Sequence, residues 1–336
     1  MGTNVFGLVI GTESANRHAQ WIHRSEIEVG LASEGFGTLN EAGRKRAENA
    51  LQQHLQRALH YEVTAFYGFG TSALRLWAQA PEWMNRTAHA LQQSIPINQQ
   101  IPIKFSVISG SQEAEWIRLG LQQSGLLENG PVLINDIGGG SVELVLCHGP
   151  RTYLALSLPL GMRKLLQQFP IHKTLIHSKD PQNLSIKETC YQEAFQQCYN
   201  FLLREFKEQL GETLAQIQPN RILGTAGPYS TLEQWTRAYL SDNNESEPLI
   251  SRALCAAFGD AATLRLVGTY PPLRPLSTDA VVHASALMLA LSDATGGLPI
   301  QTTELSMREG ALLAQFHNPY TFTPWAAPIS TGLNSG

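Results

Sequence analysis

The sequence predicts an α/β protein built from two similar halves, and three observations carry that prediction. Strand-like apolar runs alternate with helical spacings along most of the 336 residues, the order that gives a twisted sheet flanked by helices. Residues 131–146, P-V-L-I-N-D-I-G-G-G-S-V-E-L-V-L, read as strand, glycine-rich turn and strand. The first ten residues weakly repeat that unit: Gly2 falls on Gly138, Leu8 on Leu144, Val9 on Val145 and Ile10 on Leu146. Two such units predict two halves that each offer a phosphate loop, with the ligand between them.

Composition narrows the class. A chain of 336 residues is long for one core and suits two domains. Charged residues are 15% and hydrophobic residues 43%, which describes a globular protein. Net charge is -4 and no stripe of Lys and Arg appears, so a nucleic-acid partner is not expected. No apolar run approaches the ~18 residues of a membrane span. The N-terminus lacks the pattern of a signal peptide. Cys147, Cys190, Cys198 and Cys255 have no C-x-x-C spacing and read as ordinary thiols in a reducing compartment. The expectation is a cytoplasmic protein with no membrane partner.

Within residues 131–146, the run 131–134 forms the first strand and Asp136 ends it. Gly138, Gly139 and Gly140 remove every Cβ from the turn, so its backbone N–H groups can approach an anion. Asp136 stands at the mouth of the turn, where a carboxylate beside a phosphate suits Mg²⁺. Ser141 and Glu143 add a hydroxyl and a second acid. A tight hairpin would need glycine for turn geometry alone. Acid, three glycines, hydroxyl and acid packed between two apolar strands favour phosphate binding.

The rest of the first half follows in order. In the first ten residues nothing stands before Met1 to match Asp136, and the strand leading into the turn is absent. A start upstream of Met1 explains this more simply than loss of an acid. Residues 20–29 fit an edge strand. Thr38-Leu39-Asn40-Glu41 has the form of a capping box before a helix over 42–59. Residues 63–70 read as a strand, and Thr71-Ser72-Ala73-Leu74-Arg75 opens a helix. Arg75, one turn in, could reach back over the strand ends, but on its own segment it reads as a solvated helix arginine. A strand over 101–108 leads into a helix that runs to about Ser124. Glu113 lies in the first turn of that helix, where the dipole alone accounts for a carboxylate.

In the second half, residues 152–157 continue the sheet and 162–169 form a helix. Residues 173–187 are polar and irregular, and 188–216 form a long amphipathic helix. A short strand over 221–223 ends in Gly224-Thr225-Ala226-Gly227-Pro228, a second glycine-rich turn between strand and helix. Pro228 removes one donor from it. Residues 241–248 read as a charged loop, 279–294 as an apolar helix, 300–302 as a strand and 306–316 as a final helix. The tail over 318–336 is expected to be disordered. The predicted domains are 1–127 and 128–317.

Together these stretches resemble the exopolyphosphatase and guanosine pentaphosphate phosphohydrolase (Ppx/GppA) family. The resemblance rests on Gly2-Thr3-Asn4, Thr71-Ser72-Ala73-Leu74-Arg75, Ser109-Gly110…Glu113-Ala114, Asp136-Ile137-Gly138-Gly139-Gly140-Ser141…Glu143, Ser157-Leu158-Pro159-Leu160-Gly161, Gly224-Thr225-Ala226-Gly227 and Arg308-Glu309-Gly310. They occur in family order over nearly the whole chain, as in short members without C-terminal helical domains. The resemblance implies two ribonuclease-H-like domains of the actin, Hsp70 and sugar kinase superfold around an interdomain cleft. It implies Mg²⁺-assisted release of terminal phosphate from inorganic polyphosphate or pppGpp, in a protein that commonly forms a homodimer.

By that likeness, Glu113 is the general base and Arg75 binds phosphate near the scissile group. Asp136 and Glu143 lie on the metal side. Gly138, Gly139, Gly140 and Ser141 form one phosphate loop, Gly224, Thr225 and Gly227 belong to a second, and Gly2, Thr3 and Asn4 form the first-half loop. Four positions depart from the pattern. The first-loop Asp has no counterpart, Val5 replaces a small hydroxyl residue, Gln112-Glu113 replaces a glutamate pair, and Pro228 replaces a threonine. A non-catalytic binding protein for polyphosphate or guanosine tetraphosphate is the alternative on the same scaffold. A kinase of the superfold would need a nucleoside pocket that no motif here supplies.

Overall fold

The computed structural model describes residues 1–14, 19–33, 35–171, 182–240, 249–250 and 278–317. The expectations for residues 173–181, for the charged loop 241–248 and for the tail 318–336 lie outside the described residues. The chain divides into two compact units. One is Met1–Trp116 together with the chain from Arg308, and the other is Ile117–Met307. The sequence-based boundary stands at 127/128. The unit boundary falls inside a helix, and the final helix groups with the first unit.

In the first unit, strand β1 (Val5–Glu13) alternates in burial, with Phe6, Leu8 and Ile10 turned into the core. That period of two is the signature of a half-buried strand. It pairs antiparallel with β2 (Ala19–Glu28). Helix α1 (Glu41–His60) covers this pair with Ala47, Leu51, Leu55 and Ala58 at helical spacing. Its cap is Asn40 rather than Thr38: the Asn40 side chain accepts a hydrogen bond from the Gly43 N–H at 2.7 Å. Asn caps as well as Thr does, and with the helix starting two residues later Leu39 is buried ahead of it.

Strand β3 (Phe66–Gly70) pairs parallel with β4 (Ile103–Val107). The helix expected after Thr71 is a single turn, α2 (Ser72–Arg75). A separate helix, α3 (Ala80–Ser94), follows with a proline in its first turn and buries Trp83, Met84, Thr87 and Leu91. Helix α4 (Gly110–Gln122) comes next, started by Ser109, whose hydroxyl accepts from the Gln112 N–H at 3.1 Å.

The second unit is organised on a six-stranded sheet of order β7-β6-β5-β8-β10-β9. Its members are β5 (Val132–Ile137), β6 (Val142–His148), β7 (Arg151–Leu158), β8 (Ile222–Thr225), β9 (Leu249–Ile250) and β10 (Ile300–Thr302). Every β5 residue except Asp136 is buried, the continuous pattern of a strand covered on both faces. Helices α5 (Met162–Gln168), α6 (Gln182–Gln216), α7 (Gly227–Leu240) and α8 (Thr278–Ala294) complete the unit. Helix α6 starts six residues before the expected position 188. Helix α8 is buried on all sides from Ala280 to Ser292, which explains its apolar composition. Helix α9 (Met307–His317) closes the described chain.

The internal repeat is present in the turn geometry. Gly2 donates its N–H to the Val5 carbonyl at 3.1 Å, and Gly138 donates to Ser141 at 3.0 Å, with the same spacing. Met1 donates to the Phe69 carbonyl at 2.7 Å and accepts from the Thr71 N–H at 3.3 Å, the pattern of a parallel bridge opposite Gly70.

Candidate active site

Sheet register assembles the first group of candidate residues. The expected strand end at Ile134 is passed, and β5 continues through Asp136 to Ile137. This places Asp136 directly opposite Glu143 on β6 and in register with Thr225 on β8. Glu143 in turn faces Ser157 on β7. Four polar side chains therefore form one row across four adjacent strands. Ser157 Oγ donates to Glu143 Oε1 at 2.7 Å, and Thr225 Oγ1 donates to Asp136 Oδ2 at 2.5 Å. Glu143 is only 1% exposed. Carboxylates directly opposed on neighbouring strands repel each other. The two hydroxyl donors offset part of that repulsion.

Two glycines hold the turns against this row by close approach. A Cβ on Gly161, which caps α5, would sit 2.4 Å from the backbone of Gly140 and from the Ser141 nitrogen. The α5 amides of Met162 and Arg163 donate to the Gly138 and Gly139 carbonyls at 3.0 and 2.9 Å. A Cβ on Gly224 would sit 2.3 Å from the Tyr229 ring. Tyr229 is fully buried and its hydroxyl donates to Asn135 Oδ1. The Asn135 side-chain amide donates to the Glu143 carbonyl at 3.3 Å. Helix α7 is thus tied through Tyr229 and Asn135 to both strands that carry the carboxylates. Pro228 lies in the first turn of α7, where its missing N–H would have had no intrahelical partner. Ala226 takes the left-handed conformation, φ 76°, between β8 and α7.

The second group lies in the first unit. Arg75 is no solvated helix residue. Its Nη1 meets Glu113 Oε2 at 2.5 Å and the Ile108 carbonyl at 3.3 Å. Both side chains are largely buried, at 13% and 11% exposure. The sequence separation of 38 residues is closed by the parallel β3–β4 pair, since α2 and α4 both leave its C-terminal end. The Gly2-Thr3-Asn4 turn lies beside it, with Thr3 buried and its carbonyl accepting from the Leu31 N–H. The Met1 amine is pushed down to about 5, chiefly by burial, with Glu113 raising it and Arg308 lowering it. Both charges therefore reach the first turn.

Among the described residues, no three His, Cys, Asp or Glu side chains gather to hold a metal by themselves. The pair Asp136 and Glu143 still fits Mg²⁺, which takes one or two carboxylates and completes its shell with water and substrate phosphate oxygens. Ser157, Asn135, Tyr229 and Gly161 had no assigned role at the sequence level. Ser157 could have been found from hairpin register, because β6 and β7 are joined by a short turn at Gly149. Tyr229 had no local signal, since its partner is 94 residues away.

The profile of the Ppx/GppA phosphatase family matches residues 12–316. The chain belongs to the Ppx/GppA phosphatase family. It is a phosphatase with the mixed α/β fold of the solved structures below. A curated Haemophilus influenzae relative that carries an exopolyphosphatase name is 25% identical over 246 residues, 72% of this chain and 67% of the relative. The crystal structure of an exopolyphosphatase from Cytophaga hutchinsonii aligns with a TM-score of 0.72 at 22% identity, covering 94% of this chain and 96% of that one. A Ppx/GppA family member from Aquifex aeolicus aligns at 0.68 with 17% identity, covering 96% and 97%. No helix among the described residues is long and apolar enough to cross a membrane.

Proposed function

We propose that this phosphatase releases terminal phosphate from inorganic polyphosphate, with pppGpp as a second substrate. The observation that carries the reading is the pair of register-opposed carboxylates, Asp136 and Glu143, beside the Gly138–Ser141 turn. A phosphoanhydride chain is a dense polyanion. A site for it needs backbone donors, cations and carboxylates that can hold a metal. The chain supplies the glycine turns, Arg75 and the paired acids. The curated relative and the aligned exopolyphosphatase support the same substrate class.

Each residue then has a role. Gly139, Gly140 and Ser141 offer backbone N–H groups to bridging and terminal phosphate oxygens, while the Gly138 N–H closes the turn on the Ser141 carbonyl; Gly227 offers its N–H from the second turn, which Gly224 and Thr225 of β8 lead into. Asp136 and Glu143 would hold Mg²⁺, with the Thr225 and Ser157 hydroxyls orienting the two carboxylates. The bound ion would supply charge neutralisation on the phosphate oxygens. Arg75 binds the terminal phosphate in the bidentate manner of a guanidinium. Glu113 takes the proton of the attacking water. The oxygen of that water bonds to phosphorus while the anhydride bond breaks, and the shortened chain leaves with the electron pair. The N-terminal turn of Gly2, Thr3 and Asn4, closed by the Gly2 N–H on the Val5 carbonyl, would be the phosphate loop of the first half.

Phosphate release from long-chain polyphosphate with Mg²⁺ tests this function. The expected result is orthophosphate as the product with progressive shortening of the chain, and conversion of pppGpp to ppGpp under the same conditions. Absence of phosphate release from either substrate at saturating Mg²⁺ rejects it.

A further inference from the structure

Arg308 opens helix α9, and nothing above assigns it a task. Its position is unusual for a surface arginine. Its side chain lies flat over Gly7 of β1: a Cβ at Gly7 would sit 2.5 Å from Arg308 Cδ and 2.7 Å from Nη1. The missing side chain of Gly7 is therefore the space the arginine occupies. The backbone that carries it is fixed by its neighbour. Glu309 is fully buried and pairs with Arg24 of β2 at 3.1 Å, which anchors the start of α9 to the sheet. Arg308 Nη1 itself reaches Glu26, two residues along β2, at 2.8 Å.

Two guanidinium groups thus belong to the unit that holds the first turn, and their carboxylate partners differ. Arg75 is held by Glu113, which is buried. Arg308 is held by Glu26, whose side chain is 44% exposed. An exposed pair is weakened by water and salt. Gly7, over which Arg308 lies, is on β1, the strand that leads out of the Gly2 turn, and Arg308 is among the charges acting on the Met1 amine. A phosphate group offers a guanidinium two oxygens and more charge than a single carboxylate.

We propose that Arg308 is a phosphate-chain ligand, kept in place by Glu26 and exchanged from it to a non-reacting phosphate of the substrate. The proposal rests on the polyphosphate reading above. Glu26 is then a competitor for the guanidinium, and its removal has the opposite sign to removal of Arg308. A purely structural ion pair gives both removals the same sign.

The test is binding of fluorescently labelled long-chain polyphosphate to the full chain at low salt, read by anisotropy. Arg308→Gln is expected to weaken binding about tenfold, the loss of one charge-assisted hydrogen-bonding pair. Glu26→Gln is expected to tighten it about threefold. Glu41→Gln removes the same charge from the exposed start of α1, where Glu41 pairs with Lys45 at 3.0 Å, and is expected to leave binding unchanged. Glu26→Gln that weakens binding or leaves it unchanged overturns the proposal, as does an equal gain from Glu41→Gln. Glu26 is exposed, so this arm is readable even where Arg308→Gln misfolds. A wild type that binds polyphosphate without releasing phosphate contradicts the hydrolase reading alone, and the binding comparison still decides Arg308. A wild type that does not bind polyphosphate overturns both.

Discussion

Gly224 and Tyr229 provide the sharpest structural prediction, because the clash that a methyl group would create can be measured. In Gly224→Ala the new Cβ would lie 2.3, 2.4 and 2.6 Å from Cδ1, Cε1 and Cγ of the Tyr229 ring. Carbon atoms rest about 3.5–4.0 Å apart, so the ring must move by more than about 1 Å. Tyr229 is fully buried within the core of the second unit. Moving it also pulls the hydroxyl from Asn135, whose side chain is buried as well. Overpacking of this kind costs about 1–3 kcal/mol. An orphaned buried acceptor adds about 1–3 kcal/mol. Gly224→Ala should therefore destabilise the protein by about 2–6 kcal/mol. Tyr229→Ala removes the ring and carries its own cavity cost, but it also removes the clash. The double variant should be less damaged than the two single variants imply, with a coupling of at least about 1 kcal/mol. Urea unfolding followed by far-ultraviolet circular dichroism measures all three. Wild-type stability in Gly224→Ala, or strict additivity in the double variant, refutes the packing argument.

Asp136→Ala should raise the Mg²⁺ concentration needed for half-maximal phosphate release, and titration of Mn²⁺ by electron paramagnetic resonance should show weaker binding; an unchanged response in both rejects its place on the metal side. His54 is buried on α1 and donates its Nε2–H to the Phe6 carbonyl at 2.9 Å; burial pushes its pKa below 6.5, outweighing the carbonyl, with Arg57 and His23 among the charges lowering it further. The neutral ring is the stable form in the fold, so its contribution is complete above about pH 6.5 and is lost as pH falls below that value. Thermal melts from pH 7.5 to 5 should show a steeper decline for wild type than for His54→Gln, and parallel declines contradict this. Burial pushes the Cys198 thiol up to about 12. It should stay unreactive to a thiol reagent at pH 8 until denaturant is added, and prompt labelling of the native protein at Cys198 contradicts its placement.

The sequence carried the elements whose signals are local. The α/β order, the Gly138–Ser141 turn and the repeat at Gly2 were all legible, because strand alternation and turn glycines are written over a few residues. The position of Asp136 was not. It was read as the residue that ends a strand, yet β5 runs on to Ile137 and so sets Asp136 against Glu143. A polar residue inside an otherwise apolar run looks like a terminus until its cross-strand partner is known. Arg75 looked solvated for the same reason, since Glu113 lies 38 residues on. Helix α3 was missed although Trp83, Met84, Thr87 and Leu91 have helical spacing. The dominant signal there was the turn after β3. Arg308 stands in the sequence only as part of a motif, and its contact with Gly7 spans almost the whole chain.

The most direct measurement of the central claim compares wild type with Glu113→Gln, in phosphate release from long-chain polyphosphate and in polyphosphate binding. Glutamine preserves the shape of the side chain and removes its basicity. Loss of a positioned general base lowers turnover by about 10²–10⁴-fold. The account predicts that loss in release while binding of polyphosphate is kept. Turnover in Glu113→Gln comparable to wild type would contradict it.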